Sequence, residues 1–299
     1  DAVQPIAPLA SERPVRMFRP RRTHDRAALD PQDFDPPLAT RLLILQPTPF
    51  CNINCDYCYL PQRDDPARMD LDTVRLAARR LREDGLLGDT LTVVWHAGEP
   101  LLLPPAWYAA AFAEIAAELG SGCNIRHSIQ TNATLIDDAW CRFFLDHQVQ
   151  LGVSVDGPAE IHDRHRRTRS GKGSHAQVMR ALAALRRHGV PHHAIAVVTA
   201  DALAHADVIH DFFIAADIHQ VGFNFDEAEG PHQRSSLGAA EDRHAAFVRR
   251  MLDHVLAAEG RWQVRELANA DRLIRDGNPT WQWQGRRYPE NGQILPFAM

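Results

Sequence analysis

Residues 51–58 read Cys51-Asn-Ile-Asn-Cys55-Asp-Tyr57-Cys58. Three cysteines stand in the spacing C-x3-C-x2-C. The preceding run, Arg-Leu-Leu-Ile-Leu-Gln-Pro over 41–47, is apolar and closed by a proline. It predicts a buried strand ending just before the cysteines. Three thiols delivered to one tight loop build a metal site, because thiolates bind zinc and iron–sulfur clusters well. The absent fourth thiol is informative: a structural zinc site is closed by four protein ligands, and a complete iron–sulfur cage usually has four. Two readings follow. One is a zinc loop completed by a distant histidine, of which the chain has 16. The other is a four-iron cluster with one iron left open.

The chain has 299 residues, 45% hydrophobic and 24% charged, as expected of a soluble globular protein with one large domain or two modest ones. A net charge of −5 gives no reason to expect nucleic acid or an anionic membrane as a general partner. No apolar run approaches the roughly 20 residues of a membrane span, and the first residues lack the apolar core of a signal peptide. Five cysteines, three of them in one loop, point to a reducing cytoplasm rather than a secreted disulfide framework. Cys141, among Trp140, Phe143 and Phe144, reads as a buried core thiol.

Beyond the cysteines the chain alternates. Val74, Ala77, Ala78 and Leu81 recur at helical spacing over 70–84, with Asp70 or Asp72 as cap. Residues 90–95 are a β-branched strand ending in His96-Ala-Gly-Glu-Pro100. Pro104 and Pro105 open an alanine-rich helix over 106–119. Strands at 125–131, 149–155, 194–199 and 221–225 alternate with helices at 137–147, 174–188, 202–216 and 239–258. The helix at 174–188 is expected to be capped by Ser174 and closed by Gly189. After the strand at 149–155, 162–169 reads as a basic loop whose Arg164, Arg167 and Arg169 are a solvated face or peptide-facing charges, with surface His162 and His165.

Six strands alternating with six helices mean a parallel sheet with crossover helices. The residues of chemical interest follow the strands' C-terminal ends, where α/β barrels place their active sites. Six units fall short of a closed eight-stranded barrel. The expected fold is therefore α/β, an open three-quarter (βα)6 barrel whose lateral mouth admits a peptide. A proline-rich arm over 1–37, carrying Arg13, Arg16, Arg19, Arg21, Arg22 and Arg26, is expected to be disordered or loosely draped. The barrel is assigned to 38–258. The pattern fails from Gly260, where Trp262, Trp281, Trp283 and Tyr288 read as packing residues, and 294–299 read as the start of a seventh strand. The extension 259–299 is thus expected to continue beyond Met299.

The cysteine spacing, with aromatic Tyr57 before the last cysteine, resembles the signature of the radical S-adenosylmethionine (SAM) superfamily. Ala97-Gly98-Glu99-Pro100 resembles its Gly-Gly-Glu-Pro motif, and Gln130-Thr-Asn132 and Ser154-Val-Asp156-Gly-Pro158 resemble two further loops. The resemblance covers about residues 41–230. It implies a [4Fe–4S] cluster on Cys51, Cys55 and Cys58, whose open iron is chelated by SAM. One electron then splits SAM into methionine and a 5′-deoxyadenosyl radical, which removes a hydrogen atom from a C–H bond. The resemblance places Tyr57, Gly98, Glu99, Gln130, Asn132, Ser154, Asp156, Arg166 and a backbone group near Glu227 around SAM. Glu99 would accept from its ammonium group and Arg166 would fork onto its carboxylate. Asp226, Glu227 and Glu229 read either as a general base for substrate oxidation or as a solvated loop.

Within the superfamily the loops look most like peptide and protein maturases. The segment 222–230 with Ser235-Ser-Leu237 resembles maturases that install cyclophane crosslinks in glycine-rich ribosomal peptides. The implied partners are a precursor peptide and an external electron donor of flavodoxin or ferredoxin type. Formylglycine formation, as in anaerobic sulfatase maturases, shares every barrel motif. A zinc-bound, non-catalytic peptide-binding module is the reading from another class. Such maturases usually carry a cysteine-rich SPASM region with auxiliary clusters, whereas this chain has only Cys123 and Cys141 outside the loop.

Overall fold

The computed structural model describes residues 34–35, 39–238, 240–276, 280–283 and 286–289. In chain order the elements are β1 (Phe34–Asp35), β2 (Thr40–Leu45), α1 (Leu71–Glu83), β3 (Leu87–Trp95), α2 (Pro105–Leu119), β4 (Asn124–Thr131), α3 (Asp138–Asp146), β5 (Gln150–Ser154) and α4 (Ala159–His165). There follow α5 (His175–His188), β6 (His192–Val198), α6 (Ala206–Ala215), β7 (Gln220–Phe225), α7 (Glu241–Ala257), β8 (Gln263–Val264), α8 (Arg265–Asp276), β9 (Thr280–Trp283) and β10 (Arg286–Pro289). Strands β2 to β8 form one parallel sheet in sequence order, and β1, β9 and β10 form a small antiparallel one. The large sheet ends at β2 and β8, which do not pair with each other, so the barrel is open. Among the described residues no helix is long and apolar enough to cross a membrane.

Alternation along each strand sorts the side chains. Leu91, Val93 and Trp95 of β3, Leu151 and Val153 of β5, and Ala194, Ala196 and Val198 of β6 are buried against the helical layer. Trp95 is fully buried, with Trp107, Tyr108 and Phe112 packed round it at 5.4–5.8 Å between ring centroids. The intervening residues Ser128, Gln130, Ser154, His193 and Asn224 lie on the other face and are half-buried. They line the interior of the open barrel.

The local signals set the helix ends. Asp70 accepts from the Thr73 amide at 2.6 Å and starts α1, and Asp137 accepts from the Trp140 amide at 2.9 Å and starts α3. Gly189, at φ 69°, closes α5. Ser174 precedes α5 but makes no capping bond; its hydroxyl donates to the Arg166 carbonyl instead.

Three expectations are corrected. Strand β2 is a sheet edge rather than a buried strand, and its Ile44 is 47% exposed because only one neighbour covers it. The pattern does not end at Gly260: β8 adds a seventh parallel strand and α8 a further helix. Two residues of strand are too short for a period to show. The first four residues of the 162–169 segment are the end of helix α4, a seven-residue helix too short to show a period. Cys123 and Cys141 are buried core thiols. Residues 294–299 lie outside the described residues, as does the 1–37 arm except β1, which pairs with β9.

Candidate active site

The cysteine loop follows β2 and is held from outside by the segment after α4. Asn54 N donates to the Arg167 carbonyl at 2.6 Å and Asp56 N to the His165 carbonyl at 3.2 Å, while Ile53 bridges Thr168. Arg169 donates to the Cys51 carbonyl at 2.7 Å and to the Arg63 carbonyl at 2.5 Å, pairs with Asp64, and lies over the Phe50 ring. Arg63 donates to the Cys55 carbonyl at 2.6 Å. Arg169 was expected to be a solvated or peptide-facing charge; it braces the cysteine loop. Arg164 pairs with Asp201 at 2.9 Å.

A buried ionic knot lies behind Tyr57. Both Asp156 oxygens are engaged by Arg166, at 2.9 and 3.0 Å, and they also accept from Tyr57 Oη at 2.5 Å and Val197 N at 2.9 Å. Burial works to raise the Asp156 pKa, but Arg166 and His162 outweigh it and the carboxyl titrates below its ordinary value. Burial and the Asp156 charge push Tyr57 well above the usual phenol range. Nε and Nη2 of Arg166 are its two donors to Asp156.

Two histidines read as surface residues belong to this knot. His162 has no exposed area; its Nδ1 accepts from Asp156 N at 3.4 Å and its Nε2 donates to Ser174 Oγ at 2.9 Å. His165 lies between Asp56 and Asp201, 5.7 Å from the Tyr57 ring. Burial holds the His162 pKa at about 4 against an ordinary 6.5. Its depressed value contributes stability that is complete above pH 6.5 and is lost as the pH falls through about 4, about 2 kcal/mol by pH 5. The urea midpoint of the metal-free chain is expected to drop from pH 6.5 to 4.5, and less steeply in His162→Gln. Equal slopes in both would reject this assignment.

The loops after β3 and β4 join through Glu99. Its carboxylate is fully buried and accepts from Leu101 N at 3.0 Å, Thr131 Oγ1 at 2.6 Å and Asn132 N at 2.8 Å. Burial raises its pKa to about 7. Glu99 thus ties the turn after β3 to the loop after β4. The neighbouring backbone supplies the exposed part of the motif. Ala97 and Gly98 both have positive φ, at 74° and 62°. A Cβ on Gly98 would stand 2.2 Å from the Thr48 carbonyl oxygen, so only glycine lets this turn touch the chain entering the cysteine loop. Ala97 pays for its left-handed backbone, and Ala97→Gly is expected to raise stability by up to about 1 kcal/mol in urea unfolding. No gain would mean that the turn is unstrained.

Asn132 is also buried. Its Nδ2 reaches Cys51 Sγ at 3.7 Å and Asn52 Oδ1 at 2.8 Å. Gln130 donates to Ser154 Oγ at 2.9 Å inside the barrel. Nearby, Tyr59 Oη and His96 Nε2 are 3.2 Å apart. The loop after β7 crosses the mouth to the cysteines. His232 Nε2 donates to the Cys58 carbonyl at 3.1 Å, and a Cβ on Gly230 would stand 1.9 Å from the Tyr59 carbonyl oxygen. Asp226 is taken up in this loop, accepting from Ser236 N at 2.7 Å. Glu227 is exposed, and Glu229 is half-buried beside Tyr59.

The donor set fits an iron–sulfur cluster. All three loop cysteines are free thiols. Among the described residues no three Cys, His, Asp or Glu groups converge as a single-ion site requires. A four-iron cluster instead offers each thiolate a separate iron.

The family model of the radical SAM superfamily matches residues 45–211. The chain belongs to the radical SAM superfamily. A serine-type anaerobic sulfatase-maturating enzyme of Klebsiella aerogenes is 31% identical to this radical SAM chain over 215 residues, 71% of this chain and 53% of that protein. An uncharacterised protein of Synechocystis sp. is 38% identical over 242 residues, 79% of this chain and 61% of its own. The chain thus spans little more than half the length of these relatives. Among solved structures, anSMEcpe with bound AdoMet and a peptide superposes with a TM-score of 0.71 at 20% identity, covering 86% of this chain and 75% of that one. SuiB of Streptococcus suis bound to its precursor peptide gives 0.54 at 16%, covering 76% and 48%. These two likenesses are of fold.

Proposed function

We propose that this radical SAM chain is the catalytic barrel of a peptide maturase that forms an intramolecular, cyclophane-type crosslink in a ribosomally made peptide. The observation that carries the peptide reading is the site's form: three free cysteines lie at the mouth of a parallel sheet that stays open on one side. The resemblance of 222–230 and 235–237 supports the crosslink.

A four-iron cluster held by Cys51, Cys55 and Cys58 would, with SAM, supply the 5′-deoxyadenosyl radical. The chain's own residues do the rest. The Ala97–Gly98 turn offers backbone groups to the ligand's amino acid end, with Glu99 fixing that turn from behind. Gln130, Ser154 and the Tyr57 ring line its seat, with Asn132 beside Cys51, and Asp156 and Arg166 set the position of Tyr57. The chemistry supplied would be removal of a hydrogen atom from a peptide Cβ. The peptide carbon would bond to an aromatic ring, which would lose one proton to a carboxylate and one electron to an oxidised one-electron carrier. Glu229 or the exposed Glu227 would receive that proton. Asp226, tied to Ser236, shapes their loop.

The relative from Klebsiella aerogenes favours a second reading, formylglycine formation from serine or cysteine. The two separate by experiment. The anaerobically reconstituted enzyme is incubated with a glycine-rich aromatic peptide and with a sulfatase-type peptide, and the products are fragmented in a mass spectrometer. Loss of two hydrogens with a ring-bridged fragment supports the crosslink; an aldehyde without a bridge establishes the second reading instead.

A further inference from the structure

Deeper in the barrel than Ser154, two glycines lie on the inner face of the sheet, Gly152 of β5 and Gly222 of β7. Polar side chains fill the space each one leaves. A Cβ on Gly152 would stand 1.9 Å from Gln130 Oε1 and 2.9 Å from His193 Nε2. A Cβ on Gly222 would stand 2.7 Å from Arg265 Cζ and 2.9 Å from its Nη1. The carboxamide and the guanidinium thus lie against bare backbone, which only glycine allows. His193 of β6 is level with Gly152 and lies between the two. Burial, and after it the Arg265 charge, lowers its pKa, so the imidazole is neutral at pH 7. Arg265 is held from one side. Its Nε donates to Glu266 Oε1 at 2.6 Å and its Nη2 to Asn224 Oδ1 at 2.7 Å, and Glu266 Oε2 accepts from Phe223 N at 2.9 Å. Among the described residues nothing accepts from Arg265 Nη1, nothing donates to Gln130 Oε1, and neither ring nitrogen of half-buried His193 has a hydrogen-bond partner.

We propose that Arg265, with His193 and Gln130, binds the main chain of the peptide substrate, Arg265 Nη1 donating to one of its carbonyl oxygens. The inference rests on the peptide reading above, not on which residue is modified. A few convergent polar groups with unspent hydrogen bonds are what orient a ligand in a concave site. Glu266 offsets the Arg265 charge at 2.5 Å, which favours a neutral acceptor over an anion. A peptide carbonyl is such an acceptor, and Gln130 Oε1 can accept from the amide beside it. Glycine-rich sequence suits a main-chain site, because no side chain covers its carbonyls. Gly152 comes two residues before Ser154, which sets this floor about 7 Å below the ligand seat. Gln130 spans both levels, with Nε2 on Ser154 and Oε1 over Gly152.

The test uses the iron-reconstituted full chain with SAM and two dye-labelled peptides, one glycine-rich and aromatic, one of sulfatase type. Binding is read by fluorescence anisotropy in Arg265→Gln and in Gly222→Ala. The second variant keeps the charge but drives the guanidinium off the strand. Each peptide is also made with its amide N–H groups replaced one at a time by ester oxygen, because an ester carbonyl is the weaker acceptor. The expected result is about tenfold or more weaker binding of both peptides by both variants, with SAM affinity held within about twofold. One ester position should weaken binding to the parent and have little further effect in Arg265→Gln. Parental binding in either variant, an equal loss of SAM affinity, ester effects that add to Arg265→Gln at every position, or no binding of either peptide by the parent would overturn the proposal. The expected binding pattern with an aldehyde product, or with no product, would count against the crosslink reading alone.

Discussion

Asp156→Ala is expected to cost roughly 3–5 kcal/mol of folding stability, the usual penalty for leaving one partner of a buried ion pair unpaired. The side chains of Arg166 and Asp156 are only 8% and 1% exposed. Removing the carboxylate strands the guanidinium, the Tyr57 hydroxyl and the Val197 amide at once. Each stranded donor adds a desolvation penalty that water cannot relieve. Asp156→Asn keeps the shape and one acceptor oxygen, so it should fall between the parent and the alanine variant. Adding Arg166→Met to Asp156→Ala removes the orphaned charge and should recover part of the loss. Urea unfolding of the metal-free chain, followed by circular dichroism, reads all three. A loss under about 1 kcal/mol in Asp156→Ala would mean that the knot does not hold the fold.

The second large effect concerns the thiols. Cys55→Ala is expected to abolish stable iron and sulfide loading and, with it, 5′-deoxyadenosine production. Burial pushes the Cys55 thiol up to about 12, with Arg166 opposing and Asp156 assisting. Burial and the Glu99 charge push Cys51 up to about 11. Without metal both hold their protons at neutral pH, so loading must expel them. Each expelled proton makes apparent iron affinity rise roughly tenfold per pH unit, so these two thiols alone contribute about a hundredfold per unit between pH 6 and 8. Iron titration at pH 6, 7 and 8 with proton release followed in an unbuffered cell measures this directly. A flat profile would show that the thiols are already ionised and that the desolvation argument fails. Iron and sulfide retained at parental levels in Cys55→Ala would remove that residue from the ligand set.

Much of the fold was legible because its signals are local. The caps Asp70 and Asp137 lie three residues from the amides they bind, and the strand–helix rhythm needs only windows of a dozen residues. The fold class and the cysteine loop followed from these and from the motif spacing. What escaped notice acts across the chain. Arg169 is 118 residues from the Cys51 carbonyl it binds, and His165 is 109 from Asp56. Nothing in their neighbourhood separates a brace from a solvated charge. Glu99 and Arg166 were found as motif residues, but a motif names a residue and not its partner, and both bind other protein groups. Strand β8 is defined by its neighbour β7 rather than by its own two residues.

The bond from His232 to the Cys58 carbonyl spans 174 residues. A ribosome adding about 5–20 residues per second needs roughly 10–35 s to make that stretch. The cysteines therefore leave the exit tunnel well before the segments that enclose them exist. During that interval they are open thiols, and their order of assembly is late although their position in the chain is early. The segment that carries His232 is made long after the cysteines, so this side of the loop's enclosure is completed late in synthesis. Oxidants present at the ribosome meet these cysteines before the fold does.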